Sequence, residues 1–269
     1  MVMRKDLGTA MNVRTMGSGK ETIVLAHGYG GDQSMWDKIL PYLAARHRVV
    51  VFDWCFSGAV KDPTLYDPVR YSSYDAFAED LTCIVDEMKL ESPLFVGHSM
   101  SGMIGCIASV KRPHLFSRLV LVGASPRFIN QEEYEGGFEM PQIEHLFSSI
   151  ESNFEEWASS FASLVVDATD PLSIHKFENC LKKMRPDVAL SLAKTVFLSD
   201  YRDILDKVVI PCDIIQTRND VVVPSSVPEY MQSKIKGKCE VYIIDTEGHF
   251  PQLTAHVQFV EVLDRILGC

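Results

Sequence analysis

The chain has 269 residues, of which 46% are hydrophobic and 23% are charged, as in a globular protein with a full buried core. Acidic side chains outnumber basic ones by 36 to 26, which gives a net charge of −10. Because nucleic-acid binding depends on Lys and Arg side chains that neutralise phosphates, this balance argues against a nucleic-acid partner.

Short, continuously apolar runs alternate with amphipathic segments along most of the chain. A central parallel strand that is covered on both faces has this apolar character, so the runs predict strands over 22–26, 49–53, 94–97, 119–122, 209–216 and 240–244. The amphipathic segments predict helices over 34–45, 74–90, 100–110, 225–236 and 254–267. The alternation predicts an α/β fold with a mostly parallel, doubly wound sheet.

The interval from Pro126 to Tyr201 interrupts this alternation because it contains no strand-like run. Helical spacing of apolar residues recurs there over 142–154, 154–165, 170–183 and 187–198. A helical block between two strands is most simply a lid over the carboxyl edge of the sheet. We therefore expect one domain, 1–269, with a core at 1–125 and 202–269 and a helical lid at about 126–201, inserted after the sixth strand.

Ser99 lies in LFVGHSMSGM, directly after a predicted strand. Ligands of open α/β sheets bind at the carboxyl ends of the strands. A serine that is raised on a sharp strand-to-helix turn has strained backbone and needs small residues two positions before and after it. Gly97 meets this need, and Ser101 replaces the usual second glycine with a residue nearly as small. Alone, the motif fits either a nucleophile or an ordinary strand-to-helix junction.

Two later residues complete a catalytic pattern. Asp220, in TRNDVVVP, and His249, in DTEGHFPQL, follow the last two predicted strands. A serine hydroxyl needs a base and the base needs an orienting carboxylate, which in α/β-hydrolases occur in the order Ser, Asp, His. The sequence therefore predicts a triad of Ser99, Asp220 and His249. Asp245 is an alternative acid, but it follows the same strand as the histidine.

Two further polar residues lie near strand ends and receive structural interpretations. Asp53 precedes the serine in the chain, which is the wrong order for a triad acid, and we expect it to hold its own loop. His98 is adjacent to Ser99, but neighbouring side chains on such a turn point apart. We therefore expect a structural role for His98 as well.

Attack on a carbonyl creates an oxyanion that needs preorganised donors. The backbone N–H of Met100 is the first predicted donor, and the N–H of Tyr29, in the glycine-rich loop HGYGG, is the second. The loop lacks the GxGxxG spacing of a dinucleotide site, and the sequence contains no P-loop, EF-hand or HExxH motif. No cofactor and no metal site are implied.

Six motifs, distributed from end to end, carry a family resemblance. They are HGYGGDQSMW at 27–36, VGHSMSGM at 96–103, GASPRFIN at 123–130, YEGGFE at 134–139, MRPD at 184–187 and EGHFPQL at 247–253. In these motifs the chain resembles the plant α/β-hydrolase receptors for butenolide signals, the family of the karrikin and strigolactone receptors.

The resemblance implies an α/β-hydrolase fold with four lid helices, the triad above, and a mostly apolar ligand pocket. The implied pocket residues are Tyr29, Phe128, Phe138, Trp157, Phe161, Phe197 and Val222. Tyr29 stands where phenylalanine is common, and we expect its hydroxyl in the pocket to alter ligand preference.

The resemblance also implies a function, namely slow hydrolysis of a butenolide lactone or enol ether with part of the ligand retained on the catalytic histidine. A lid change would then recruit an F-box protein of a ubiquitin ligase and a Clp-ATPase-like repressor, in the cytoplasm and nucleus. The alternative is a metabolic carboxylesterase or lactonase without a signalling role.

The sequence also bears on the cellular compartment. The first twenty residues contain no apolar segment typical of a secretory signal, and no run approaches eighteen apolar residues, so we expect an intracellular protein without a membrane span. Seven cysteines occur without a CxxC pair, several of them inside apolar runs. We expect buried, reduced thiols rather than disulfides or metal ligands.

Overall fold

A computed structural model describes residues 6–268, so Met1–Lys5 and Cys269, which the predicted domain includes, lie outside the described residues. Seven strands occur in the described part: β1 (Arg14–Met16), β2 (Thr22–Ala26), β3 (Arg48–Val51), β4 (Leu94–His98), β5 (Arg118–Val122), β6 (Cys212–Asn219) and β7 (Cys239–Glu247). They form one sheet in the order β1-β3-β2-β4-β5-β6-β7. All neighbours are parallel except β1, which pairs antiparallel with β3. The predicted mostly parallel sheet is confirmed.

The central strands are apolar throughout because both faces of the sheet are covered. In β4, Phe95 belongs to one buried apolar cluster, whereas Leu94 and Val96 belong to a second cluster on the opposite face. The same division separates Leu119 from Val120 in β5. Successive side chains of a strand point to opposite faces, so helices on both sides bury every position.

The helices in the described part are α1 (Leu7–Ala10), α2 (Leu40–Ala44), α3 (Tyr74–Glu87), α4 (Met100–Lys111), α5 (Met140–Ser152), α6 (Phe154–Val165), α7 (Pro171–Lys182), α8 (Pro186–Phe197), α9 (Ser226–Lys234), α10 (Pro251–Thr254) and α11 (His256–Leu267), with 3₁₀ turns at Gln33–Trp36 and Arg202–Lys207. In the part of the chain that the structure describes, no helix is long and apolar enough to cross a membrane.

Prolines occur at several of the boundaries where the predicted and observed elements differ. The helix predicted over 34–45 is divided into the turn Gln33–Trp36 and α2, with Pro41 in the first turn of α2. The strand predicted over 209–216 begins only at Cys212, after Pro211, which has no N–H to contribute to the ladder. Helices α7 and α8 begin at prolines, where the fixed backbone angle of proline suits the first helical position.

The four helices α5–α8 lie between β5 and β6, within the segment predicted to form a lid, and we refer to them as the lid helices. The insertion therefore follows the fifth strand rather than the sixth, because only the short strand β1 precedes β2 in residues 6–268. Asn153 separates α5 from α6, and its side chain accepts a hydrogen bond from the N–H of Glu156 at 3.3 Å. This cap ends one helix and starts the next with a change of direction.

Candidate active site

Ser99 occupies the sharp turn between β4 and α4. Its backbone angles, φ 56° and ψ −124°, lie in a region that non-glycine residues rarely adopt, and its N–H donates to the carbonyl of Val122 at 2.8 Å. Gly97 is required on the other side of the turn, because a Cβ there would lie 2.5 Å from the carbonyl oxygen of Ser101. The strained turn predicted from the sequence is present.

Ser101 does more than replace a glycine. Its hydroxyl donates to the carbonyl of His27 at 2.5 Å and accepts from the indole N–H of Trp54 at 2.9 Å. Both bonds are buried, so they tie the first turn of α4 to the end of β2, where the glycine-rich loop begins. The indole N–H of Trp54 also donates to the His27 carbonyl, and with glycine at position 101 this carbonyl would be its one remaining acceptor of the two.

His249 and Asp220 are paired as predicted. The Nδ1 of His249 lies 2.7 Å from Oδ2 of Asp220, and the two side chains are 6% and 1% exposed. A carboxylate accepts, so Nδ1 carries a proton and donates it to Asp220. Nε2 is buried and has no hydrogen-bond partner among the described residues. The contact with Asp220 thus leaves Nε2 as the ring nitrogen that is available to act as a general base.

The Asp220 carboxylate is held by four donors in total. Oδ1 accepts the N–H of Val222 at 2.8 Å and that of Val223 at 3.2 Å. Oδ2 accepts from Nε2 of Gln216 at 3.1 Å in addition to His249. Sequence reasoning missed Gln216, although its position on β6, four residues before the aspartate, places it at the same strand end.

The two aspartates that were weighed against Asp220 have other partners. Asp245 is 74% exposed and pairs with Arg218 at 2.6 Å. Asp53 accepts from the backbone N–H of Gln33 and from Nδ2 of Asn12, each at 2.8 Å. It ties neighbouring loops together, in keeping with its expected structural role.

The two residues predicted to supply oxyanion donors are both near Ser99: Met100 follows it in the chain, and Tyr29 lines the same cavity. Met100 is the first residue of α4, so its N–H has no acceptor within the helix. The loop after β2 approaches the serine closely, since a Cβ on Gly28 would lie 2.9 Å from the Cβ of Ser99. Glycine at this position therefore allows the backbone of Tyr29 to lie beside the serine.

A small apolar cavity lies above Ser99 and has a volume of about 20 Å³. Its lining residues are Tyr29, His98, Ser99, Phe128, Phe161, Val165, Phe177, Val196, Phe197, Val222, His249 and Phe250. Four of these residues were not among the predicted pocket residues: Val165, Phe177, Val196 and Phe250. The first three belong to the lid helices, and Phe250 follows His249 in the chain. A volume of this size holds about one water molecule.

Phe138 and Trp157 do not line this cavity, which corrects two of the predicted pocket residues. They line an open groove of about 820 Å³ beside α5 and α6 instead. Phe161 lines both spaces and stacks on Trp157 with ring centroids 5.2 Å apart. The Phe161 ring therefore separates the groove from the cavity.

The side chain of His98 contacts His249, the proposed catalytic base. Its Nε2 lies 2.8 Å from the carbonyl oxygen of His249 and must donate, because a carbonyl only accepts. Its ring lies 4.9 Å from the His249 ring and 4.7 Å from the Phe250 ring. Burial, and then the neighbouring His249, keep the pKa of His98 well below its ordinary value. His98 is a neutral donor that holds the backbone of His249.

The predicted cysteine environment can be compared with the structure at six positions. Cys55, Cys106, Cys180 and Cys212 are buried, and Cys83 and Cys239 are partly buried. Cys269 lies outside the described residues. Burial raises the pKa of the Cys106 thiol to about 12, which favours the protonated thiol.

The fold and the raised serine identify the class of protein. The sequence model of a family described as alpha/beta hydrolase fold matches residues 21–255. A solved hydrolase from Oleispira antarctica superimposes with a TM-score of 0.94 at 32% identity, over 98% of this chain and 96% of that one. This is a hydrolase of the α/β fold.

Similar curated proteins show which family of α/β hydrolases the chain belongs to. The chain is 47% identical to a strigolactone esterase of Arabidopsis thaliana, over 96% of both chains. It is 43% identical to a karrikin insensitive 2 receptor of Petunia hybrida, over 97% of this chain and 95% of that one. The chain therefore belongs to the family of the strigolactone esterases and karrikin receptors, and the resemblance that the motifs indicated is confirmed.

Proposed function

We propose that this protein is a receptor for a strigolactone-like or karrikin-like butenolide that hydrolyses its ligand slowly. One observation carries the catalytic part of the proposal. The His249 ring is oriented by Asp220 at 2.7 Å, it lines the same apolar cavity as Ser99, and its Nε2 has no hydrogen-bond partner among residues 6–268. Relatives at 43–47% identity that are named strigolactone esterase and karrikin receptor support the ligand class.

The proposed reaction follows from this arrangement. Nε2 of His249 removes the hydroxyl proton of Ser99 as the serine oxygen attacks the lactone or ester carbonyl. The N–H groups of Tyr29 and Met100 hold the oxyanion, and Asp220 keeps the imidazole in the reactive tautomer. His249 returns its proton to the leaving oxygen, and water then hydrolyses the acyl-serine.

Ligand binding requires the cavity to enlarge. Small-molecule pockets usually occupy about 300–1,000 Å³, whereas this cavity measures about 20 Å³. Its roof consists of lid side chains, among them Phe161 of α6 and Val196 and Phe197 of α8. A bound butenolide must displace these side chains, which supports a mechanism that couples ligand binding to the position of the lid helices.

We extend the proposal to partners that recognise the displaced lid, an F-box protein of a ubiquitin ligase and a Clp-ATPase-like repressor in the cytoplasm and nucleus. The changed lid surface would be the part that both partners contact. Ligand-dependent association of the purified proteins on a size-exclusion column tests this extension. Association that is equal with and without butenolide would contradict it.

The central experiment uses a panel of butenolide lactones with the wild type and Ser99→Ala. We expect slow hydrolysis, a butenolide-dependent shift in melting temperature, and ligand mass retained on the wild-type protein. Ser99→Ala should bind but not hydrolyse, since it lacks the nucleophile. Rapid multiple turnover of simple esters, with no melting shift and no adduct, would instead indicate a metabolic esterase.

A further inference from the structure

The hydroxyl of Tyr29 contacts the lid rather than the ligand space. It donates to the backbone carbonyl of Ala189 in α8 at 2.9 Å, across 160 positions of sequence. The side chain is buried, and burial raises the pKa of the phenol far above its ordinary value. The protonated hydroxyl therefore donates to α8, whereas the sequence predicted a position in the ligand pocket.

Tyr29 is also the point at which two lid helices meet the glycine-rich loop. Its ring packs edge-on against Trp157 at 6.3 Å and Phe161 at 6.4 Å, both in α6. Its hydroxyl binds α8, the helix that supplies Val196 and Phe197 to the cavity roof. One side chain thus contacts α6 through its ring and α8 through its hydroxyl.

A phenylalanine would keep the ring contacts but lose the bond to α8. We propose that Tyr29 is a specificity-determining residue whose hydrogen bond to Ala189 keeps α8 closed over the cavity and thereby excludes bulky acyl or lactone groups. This inference rests on the proposed hydrolytic function. Small substrates need little displacement of α8, whereas large ones must break the bond or strain it.

The test compares Tyr29→Phe with the wild type on p-nitrophenyl acetate, butanoate and octanoate. A net hydrogen bond is worth a factor of about two to ten in an equilibrium constant, so we expect the octanoate-to-acetate ratio of kcat/KM to rise by that factor through a lower KM. The kcat should change less than about twofold, because the proposed oxyanion donor is the backbone N–H. Hydrogen exchange over 186–197 should be faster in the variant without any ligand.

Tyr242→Phe is the matched control, because Tyr242 in β7 also donates a hydrogen bond, to Glu240 at 2.9 Å, and does not line the cavity. It should leave both the substrate ratio and the exchange of α8 unchanged. A uniform loss on all three esters, or an unchanged ratio together with unchanged α8 exchange, would overturn the inference. If the wild type hydrolyses neither these esters nor a butenolide, the proposed function is wrong, and the exchange rates over 186–197 still decide whether the hydroxyl restrains α8.

Discussion

The backbone N–H of His249 donates a 2.7 Å hydrogen bond to the carbonyl of Val165, the last residue of lid helix α6. The neighbouring residues Val166 and Gly248 form an antiparallel bridge. The loop that carries the proposed base is therefore attached directly to the lid. A displacement of the end of α6 must move the backbone of His249, which gives lid position a direct effect on the triad.

Gly248→Ala should disrupt this attachment. Gly248 has φ +80°, and a Cβ there would lie 2.7 Å from the N of Asp167 and 2.9 Å from the carbonyl oxygen of Val165. We expect kcat to fall by about tenfold or more, since small misplacements of catalytic groups are costly. Steady-state ester hydrolysis measures the effect.

Gly268→Ala is the control for this variant. It has a similar φ of +74°, but its Cβ would meet no described atom within 4 Å. Gly268→Ala should lower the free energy of unfolding by about 1–2 kcal/mol, because alanine is disfavoured in left-handed backbone. Its kcat should be unchanged. Equal kcat values for the two variants would contradict a role for the α6 contact.

Asp220→Asn should abolish most of the activity while leaving the fold intact. The amide can present its N–H to His249 and stabilise the wrong imidazole tautomer, an effect worth about 10⁴-fold in kcat in the serine protease example. Asp245→Asn removes an exposed carboxylate that pairs with Arg218 and should retain wild-type kcat. The result would contradict the assignment if the two variants lost activity equally.

Gln216→Leu should lower kcat because it removes a hydrogen bond that positions the Asp220 carboxylate. The side chain is buried, and it donates to Oδ2 of Asp220 and to the carbonyl of Val223, each at 3.1 Å. A hydrogen bond to a charged group contributes about 1.5–3 kcal/mol, so we expect kcat to fall by roughly 10- to 100-fold. Gln216→Glu, which cannot donate when ionised, should be no better. A Gln216→Leu enzyme with normal kcat and a normal pH–rate profile would exclude this positioning role.

His98 should make stability depend on pH below neutrality. Its folded-state pKa lies well below 6.5 because of burial, so the unfolded chain takes up a proton first as the pH falls. The contribution of neutral His98 to the free energy of unfolding is complete above about pH 6.5. Below that pH it decreases by up to about 1.4 kcal/mol per pH unit.

His98→Gln retains an N–H donor but cannot titrate. Its melting temperature should therefore fall less than that of the wild type between pH 7 and pH 5. His27, whose pKa is also lowered by burial, leaves a residual slope in both proteins. Parallel melting profiles for the wild type and the variant would contradict the interpretation.

Local pattern was sufficient to predict much of the architecture. Burial on both faces makes β4 and β5 apolar throughout, and α6 begins and ends at the predicted residues, 154 and 165. The strand ends at Ser99, Asp220 and His249 followed from the same pattern, because reactive residues of this fold lie at the carboxyl edge of the sheet. Pro211 delays the start of the predicted strand over 209–216 to Cys212.

The α/β alternation, the helical insertion and the order of the three proposed triad residues could all be predicted from the sequence, since each depends on local hydrophobic period or on position along the chain. Helix packing places Val165 in the cavity wall, Trp157 and Phe138 in the groove, and Phe161 between the two spaces. Only the tertiary structure joined the Tyr29 hydroxyl to Ala189 and the His249 N–H to Val165. Such contacts depend on how separate helices pack against the sheet, and no local pattern encodes the distance between residues that are far apart in the chain.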